Sequence, residues 1–284
     1  MIINLFFLIS KLGKKILLIL YKIIVVLLLW TGVNATESPD GIFTNVECLS
    51  CHEKYNSDLV KDWQASVHAY VEKKADCVTC HGNKHTTVLA RNDKICINCH
   101  GGKKSPVVHS YNTSKHGTLI RLEQYDWTQL MANYRVPSCS YCHMYAGNHN
   151  VTHTVRKQQL LMSSNKVELK KIQDRLKVIC QNCHSPRYVT QLFSNGEAQF
   201  QIAYMKVREA NQLITQASIK FSDAKLVDVK QQMKKMRQHL KNVYLGVGHQ
   251  SPDYQWWHGQ PALDGDLLRI KNSIGELHLK NIRK

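Results

Sequence analysis

The chain has 284 residues, with 38 Lys and Arg against 21 Asp and Glu and a formal charge of +17. That length allows one large domain or two small ones, and the basic balance taken alone points to nucleic acid or other anions as partners. The cysteines narrow the range: all 10 fall in C-x-x-C pairs, each followed directly by His, so none is left for a disulfide framework.

Residues 1–35 read as a secretory signal peptide. Lys11, Lys14, Lys15 and Lys22 punctuate an apolar stretch ending in Leu29 and Trp30, and Val33-Asn34-Ala35 offers small residues at the usual cleavage positions. Lys22 interrupts the run of about 20 apolar residues that a spanning helix needs, so a retained membrane anchor is the lesser expectation. Either way the body is exported, to a periplasm or its equivalent, which argues against a nucleic-acid partner.

The five motifs follow in order. They are Cys48-Leu49-Ser50-Cys51-His52, Cys77-Val78-Thr79-Cys80-His81, Cys96-Ile97-Asn98-Cys99-His100, Cys139-Ser140-Tyr141-Cys142-His143 and Cys180-Gln181-Asn182-Cys183-His184. C-x-x-C-H is the attachment signature of a c-type haem. The thiols add across two vinyl groups as thioethers, and the adjacent His becomes the proximal iron ligand. Zinc takes four-ligand sites built from two pairs; five pairs leave a remainder, and zinc gives no reason for the His. A dithiol redox motif needs neither five copies nor a following His. Five covalently bound c-type haems are therefore expected.

Without the leader the chain offers roughly 50 residues per haem, too few to wrap each cofactor in its own apolar core. The haems are expected to form much of the interior. Removing the four leader lysines and counting iron and propionates leaves a charge of about +8, a surface suited to acidic redox partners.

From 36 to 154 the sequence predicts a haem-dense domain of short helices, with Gly82, Gly101, Pro106, Gly117 and Pro137 marking turns. Asp58–Lys74 reads as one short helix carrying His68. From 155 to 284 the pattern lengthens. A helix over 155–179 leads into the fifth motif, and apolar residues at three- and four-residue steps predict helices over Gln199–Phe221 and Leu226–Val243, joined by a turn at 220–225. This hairpin is expected to cover haems or to pair with another copy of the chain. Met233 and Met236 read as core filler. The stretch from Leu267 reads as a basic, loosely helical tail. The fold class is mainly α: a haem-packed N-terminal half and a long C-terminal helical hairpin.

Ten His lie outside the motifs. His68, His85, His116 and His153 are the expected second axial ligands, with His109 a substitute for His85 and His149 for His153. His239 and His278 read as surface residues. His249 and His258 flank an aromatic loop, and His258 is taken as the fifth ligand. The metal-ligand set is thus His52, His81, His100, His143 and His184 with His68, His85, His116, His153 and His258. A haem with two strong ligands passes electrons; one with an open position can transform a small substrate. The histidine count allows both.

The flanking strings resemble the hydroxylamine oxidoreductase-like multihaem cytochromes, which normally carry eight haems. Cys48–His52 with Trp63–Ala69, and Cys77–His81 with Gly82–His85, resemble that family's first two haem segments. Cys96–His100 with Tyr111–Gly117, Cys139–His153, and Cys180–His184 with Ser185-Pro186 resemble its sixth to eighth. Gly248–Gly259 is similar to the stretch after the family's long helices. Only residues 82–95 separate the second and third motifs here, so the resemblance implies loss of the third to fifth segments, including the catalytic haem. Some members link a tyrosine to that haem; without it, Tyr254 is structural. The resulting expectation is an exported pentahaem cytochrome passing electrons in a respiratory chain, fed by a membrane quinol-oxidising donor. The alternative is a multihaem oxidoreductase acting on nitrite or hydroxylamine at one open iron. A subunit of a larger complex is the third reading.

Overall fold

Short helices, each stopped by its own cap, fill the first half of the computed structural model, and long amphipathic helices fill the second. The structure describes residues 22, 39–72, 75–101, 105–122, 136–155, 162 and 166–283. The leader expected over 1–35 lies outside these residues except for Lys22. Among the described residues no helix is long and apolar enough to cross a membrane, and none forms a strand. Gly41–Lys284 is one compact unit.

The short helices are α1 (Asn45–Tyr55), α2 (Ser57–Gln64), α3 (Val67–Tyr70), α4 (Cys77–His81), α5 (Val88–Arg91), α6 (Asp93–Cys99), α7 (Pro106–Asn112), α8 (Lys115–Leu122) and α9 (Cys139–His143). Side-chain caps start most of the motif helices, because such short helices leave a large share of their amide groups without internal partners. Thr44 and Glu47 close a capping box on α1. The Asp76 carboxylate accepts from Thr79 N at 2.8 Å, Asn92 from Lys94 N at 3.0 Å and Ser138 from Tyr141 N at 3.2 Å. The single helix expected over Asp58–Lys74 is instead α2 and α3. The chain breaks at Ala65, and the fully buried Ser66 caps the second piece through His68 N.

The second half comprises α10 (Lys166–Gln181), α11 (Pro186–Lys220), α12 (Val227–His249) and α13 (Gln260–Ile282). Ser185 and Pro186 start α11, a cap followed by the residue whose missing N–H costs nothing there. The 3₁₀ turn Asp223–Leu226 joins α11 to α12, and Gln250 ends α12 in the left-handed region at φ 57°. Phe200, Ala203, Val207 and Ala210 of α11 meet Val229, Met236, Leu240 and Val243 of α12 in one core. A Cβ on Gly196 would stand 2.8 Å from Val247 Cγ1, so this crossing is too close for any larger residue.

The segment expected as a loose tail is α13, the third helix of that core. Leu263, Leu267, Ile270 and Ile274, at steps of four, three and four, pack against α11 and α12. The long elements form a three-helix bundle rather than a bare hairpin. Each such side chain contributes about 1.5–3 kcal/mol when fully buried. Met233 and Met236 are core, as expected. His239 is not a surface residue: its Nδ1 lies 2.5 Å from the buried Asp266 carboxylate, which also takes Arg269 at 2.5 Å.

Candidate haem-binding sites

A helix places residues i, i+3 and i+4 on one face, and C-x-x-C-H uses those three positions. Wound as helix, each motif turns both thiols and its imidazole the same way. The first lies inside α1; the second and fourth are α4 and α9 themselves. The third fills the end of α6, with His100 at its C-cap. The fifth starts in the last turn of α10 and continues through the turn before α11. All ten cysteines are free of disulfides.

Four motif histidines face a second imidazole across a gap of nearly constant width. His52 faces His85 at 6.0 Å between ring centroids, with the planes 9° apart. His81 faces His149 at 6.1 Å and 20°, His184 faces His116 at 6.1 Å and 39°, and His100 faces His68 at 6.2 Å and 49°. Two metal–imidazole bonds of about 2.0 Å each, added to the two ring radii, put centroids roughly 6 Å apart. Stacked rings without a metal would sit closer.

Hydrogen bonds fix which ring nitrogen is available. Nδ1–H of His81 donates to Thr86 O at 3.1 Å, that of His149 to Gly147 O at 2.7 Å, and that of His143 to Val151 O at 3.4 Å. A carbonyl can only accept, so each bond selects the tautomer with Nε2 unprotonated and free to ligate. His249 is held in the same way. Its Nδ1–H donates to the Ser110 hydroxyl at 2.7 Å, and that hydroxyl in turn donates to Val107 O at 2.8 Å. Burial, helped by the nearby His143, lowers the basicity of His249 to about 4. Burial likewise lowers His143, with His100 and His68 adding to it and the Val151 carbonyl opposing it.

Of the expected second ligands, His68, His85 and His116 each stand opposite a motif histidine. The structure places His153 and His258 differently from expectation. The ring facing His81 is that of His149. Ala146 at φ 55° and Gly147 at φ 79° turn the chain sharply after the fourth motif and bring His149 round. His153 sits one turn further on, where its carbonyl accepts from Arg175 at 3.1 Å. His258 is 65% exposed and binds Asp253 at 3.0 Å. His249, at the last position of α12, is the histidine near the fourth motif. The substitute His109 packs on Tyr254 at 5.5 Å.

The attachment sites are neighbours in sequence order. The Cys48 thiol lies near enough to raise that of Cys77, Cys96 that of Cys80, and Cys180 that of Cys142. The Cys96 and Cys139 thiols are within hydrogen-bond reach. Burial, with these neighbours, pushes the Cys80 thiol up to about 11 and Cys142 up to about 12. Two side chains that sequence reasoning missed set this spacing. Asn45 Oδ1 accepts from Cys77 N at 3.0 Å, and Asp93 Oδ1 accepts from Cys139 N at 2.8 Å. Both stand three residues before the first Cys of their own motif, which is the sequence signal that could have found them.

The residues fit the cofactor in one further respect. Among the described residues of 41–155 the buried apolar side chains are Val60, Ala69, Val108 and Val136, whereas the bundle holds a full core. These described residues lack the aliphatic mass to fold around themselves, as the residue count per haem implied. Thiol pairs and imidazoles on shared helix faces, opposed by second imidazoles, define a c-type cytochrome carrying several covalently bound haems.

The chain belongs to the multihaem CxxCH cytochrome family. A family model described as "Seven times multi-haem cytochrome CxxCH" matches residues 60–232. The fold is similar to that of the Kuenenia stuttgartiensis reducing HAO-like protein complex Kustc0457/Kustc0458, with 17% identity and a TM-score of 0.53 over 84% of this chain and 86% of that one. It is also similar to a hypothetical multihaem protein, with 15% identity and a TM-score of 0.52 over 74% of this chain and 59% of that one.

Proposed function

We propose that this chain is an exported pentahaem cytochrome that relays electrons in a respiratory chain and lacks a catalytic haem. Bound haem supplies one-electron iron chemistry, and the protein's part is to hold each iron closed. In this reading the axial pairs are His52 with His85, His81 with His149, His100 with His68, His184 with His116, and His143 with His249. The observation that carries the reading is the gap of about 6 Å between facing rings, repeated at four motifs. A second imidazole at each site, held through Nδ1 at His149 and His249, would leave no open position for an exogenous ligand on a bound haem. The ordered neighbourhood of the attachment cysteines supports a continuous relay from the first site to the fifth.

Residues 82–95 supply only a turn, α5 and the start of α6 between the second and third motifs. The catalytic segment of the HAO-like proteins has no counterpart there. Tyr254 is buried between His109 and His258, a packing role. The basic surface suits an acidic partner and a membrane quinol-oxidising donor. Exposed Ile202 and Met205 on α11 and Leu268 on α13 suit assembly through the C-terminal helices.

The test is electron paramagnetic resonance of the oxidised, fully loaded protein before and after adding nitrite or hydroxylamine, with haem counted by mass. Five haems and only low-spin signals, unchanged by either compound, are expected. A high-spin signal that moves on addition would return the protein to the alternative, an oxidoreductase with one open iron.

A further inference from the structure

The chain uses one bracket twice with different chemistry. Asn45 opens α1 one turn before Cys48 and reaches across to Cys77 N. Asp93 opens α6 one turn before Cys96 and reaches across to Cys139 N. Each bracket ties the first thioether position of one motif to the first of the next, so each side chain lies between two haem sites. The first bracket is a neutral amide, and the second is a carboxylate.

We propose that Asp93 is a potential-setting, proton-accepting residue for the third and fourth haem sites, and that Asn45 leaves the first and second sites insensitive to pH. This rests on the multihaem reading above. When either flanking site takes one electron from a donor protein, the positive charge beside Asp93 falls by one. The carboxylate then takes up one proton from solvent, and gives it back on reoxidation.

The surroundings favour such a response. Asp93 is half-buried, and burial raises its carboxyl above the usual carboxylate range, against the lowering effects of Cys139 and of the nearby Tyr111 hydroxyl. The titratable groups facing it are Tyr111 from α7, Cys139 and Cys142 from α9, and Cys96 on its own helix. Haem attachment converts all three thiols to neutral thioethers, none of which ligates iron. Burial and the adjacent carboxylate push the Tyr111 phenol far up, and it remains neutral with its hydroxyl donating to Pro137 O at 2.8 Å. Asp93 is then the ionisable group left at this junction once the haems are attached.

The experiment is a spectroelectrochemical titration of the loaded protein at pH values from roughly 4 to 9, for the wild type, Asp93→Asn and Asn45→Asp. Haem content and the low-spin spectrum are checked first. Absence of haem from the third or fourth motif of the wild type would count against the multihaem reading itself, separately from the role of Asp93. Asn keeps the oxygen that accepts from Cys139 N, so the bracket survives. The wild type is expected to show one or two components whose midpoint falls as pH rises, by up to about 59 mV per tenfold change in proton concentration. Haem propionates titrate in the same range, so the difference between variants is the readout. Asp93→Asn should flatten that slope and raise the midpoint at high pH. Asn45→Asp should add a new pH-dependent component. Equal slopes in the wild type and Asp93→Asn, or no new component in Asn45→Asp, would overturn the proposal.

Discussion

Replacing His149 by Ala separates two histidines four residues apart that sequence reasoning ranked the other way. The His81–His149 pair closes a loop of 68 residues. In the chain-entropy treatment of crosslinks, a loop of that length constrains the unfolded chain by about 4 kcal/mol. For a compact unit of this size, about 2–4 °C of melting temperature goes with each kcal/mol, so a drop of roughly 10 °C follows. The second haem should at the same time turn high-spin and bind added cyanide or nitrite. His153→Ala removes a half-exposed ring and leaves intact the carbonyl that Arg175 uses, so its cost should stay within about 0.5 kcal/mol. The assay pairs thermal unfolding with paramagnetic resonance on the same samples. A high-spin signal in His153→Ala and none in His149→Ala would refute the assignment and the ring-gap argument behind it.

Ser110→Ala removes the hydroxyl that fixes the His249 tautomer; loss of such an outer partner typically weakens a metal ligand 10–100-fold, read here as a growing high-spin fraction at the fourth haem alone. Gly117→Ala would put a Cβ 2.2 Å from Tyr111 O. It should cost about 1–3 kcal/mol and displace the neighbouring His116, visible as a changed low-spin signal at the fifth haem. Asp266→Ala leaves His239 and Arg269 without the carboxylate that ties α12 to α13, and an unfolding titration should show a loss of about 2 kcal/mol. Asp93→Asn bears on stability as well as potential. A carboxyl raised in the folded state opposes folding once ionised, so the variant should melt above the wild type at neutral pH. The gap should close as pH falls through the raised pKa of Asp93; a gap that widens instead would contradict the burial of that carboxylate.

The motifs were legible because their chemistry is written in adjacent residues: two thiols and an imidazole within one helical turn. The two long amphipathic helices were legible for the same reason, since a stripe of Ala203, Val207 and Ala210 is local information. The third helix was hidden although Leu263, Leu267, Ile270 and Ile274 carry the same rhythm. Lysines at 271, 280 and 284 gave the stretch the look of a solvated tail, and only packing against α11 and α12 reveals its apolar side. The second histidines were least legible. Proximity in sequence favoured His153 over His149, yet the ring facing His81 is that of His149, brought round by a left-handed Ala146 whose neighbours in the chain do not announce it. His249 and His258 could not be separated by composition either. One ends a helix against Ser110 and the other faces water beside Asp253.

The facing pairs have a consequence for how the chain can be built and cut. Taken as axial bonds, the four facing pairs together with the proposed pair of His143 and His249 span 52–85, 68–100, 81–149, 116–184 and 143–249, and each span overlaps the next. Every peptide bond between His52 and His249 therefore lies inside at least one metal-closed loop. No proteolytic nick, gene split or fragment boundary in that interval leaves all five irons with both partners on one piece. During synthesis the constraint becomes an order of events. The first motif can complete its coordination once residue 85 is available, but the fourth waits for residue 249. A ribosome stalled before that point, or a frameshift within the bundle, would leave early haems finished and the fourth held by a single imidazole, which makes the end of α12 a checkpoint on the integrity of the whole relay.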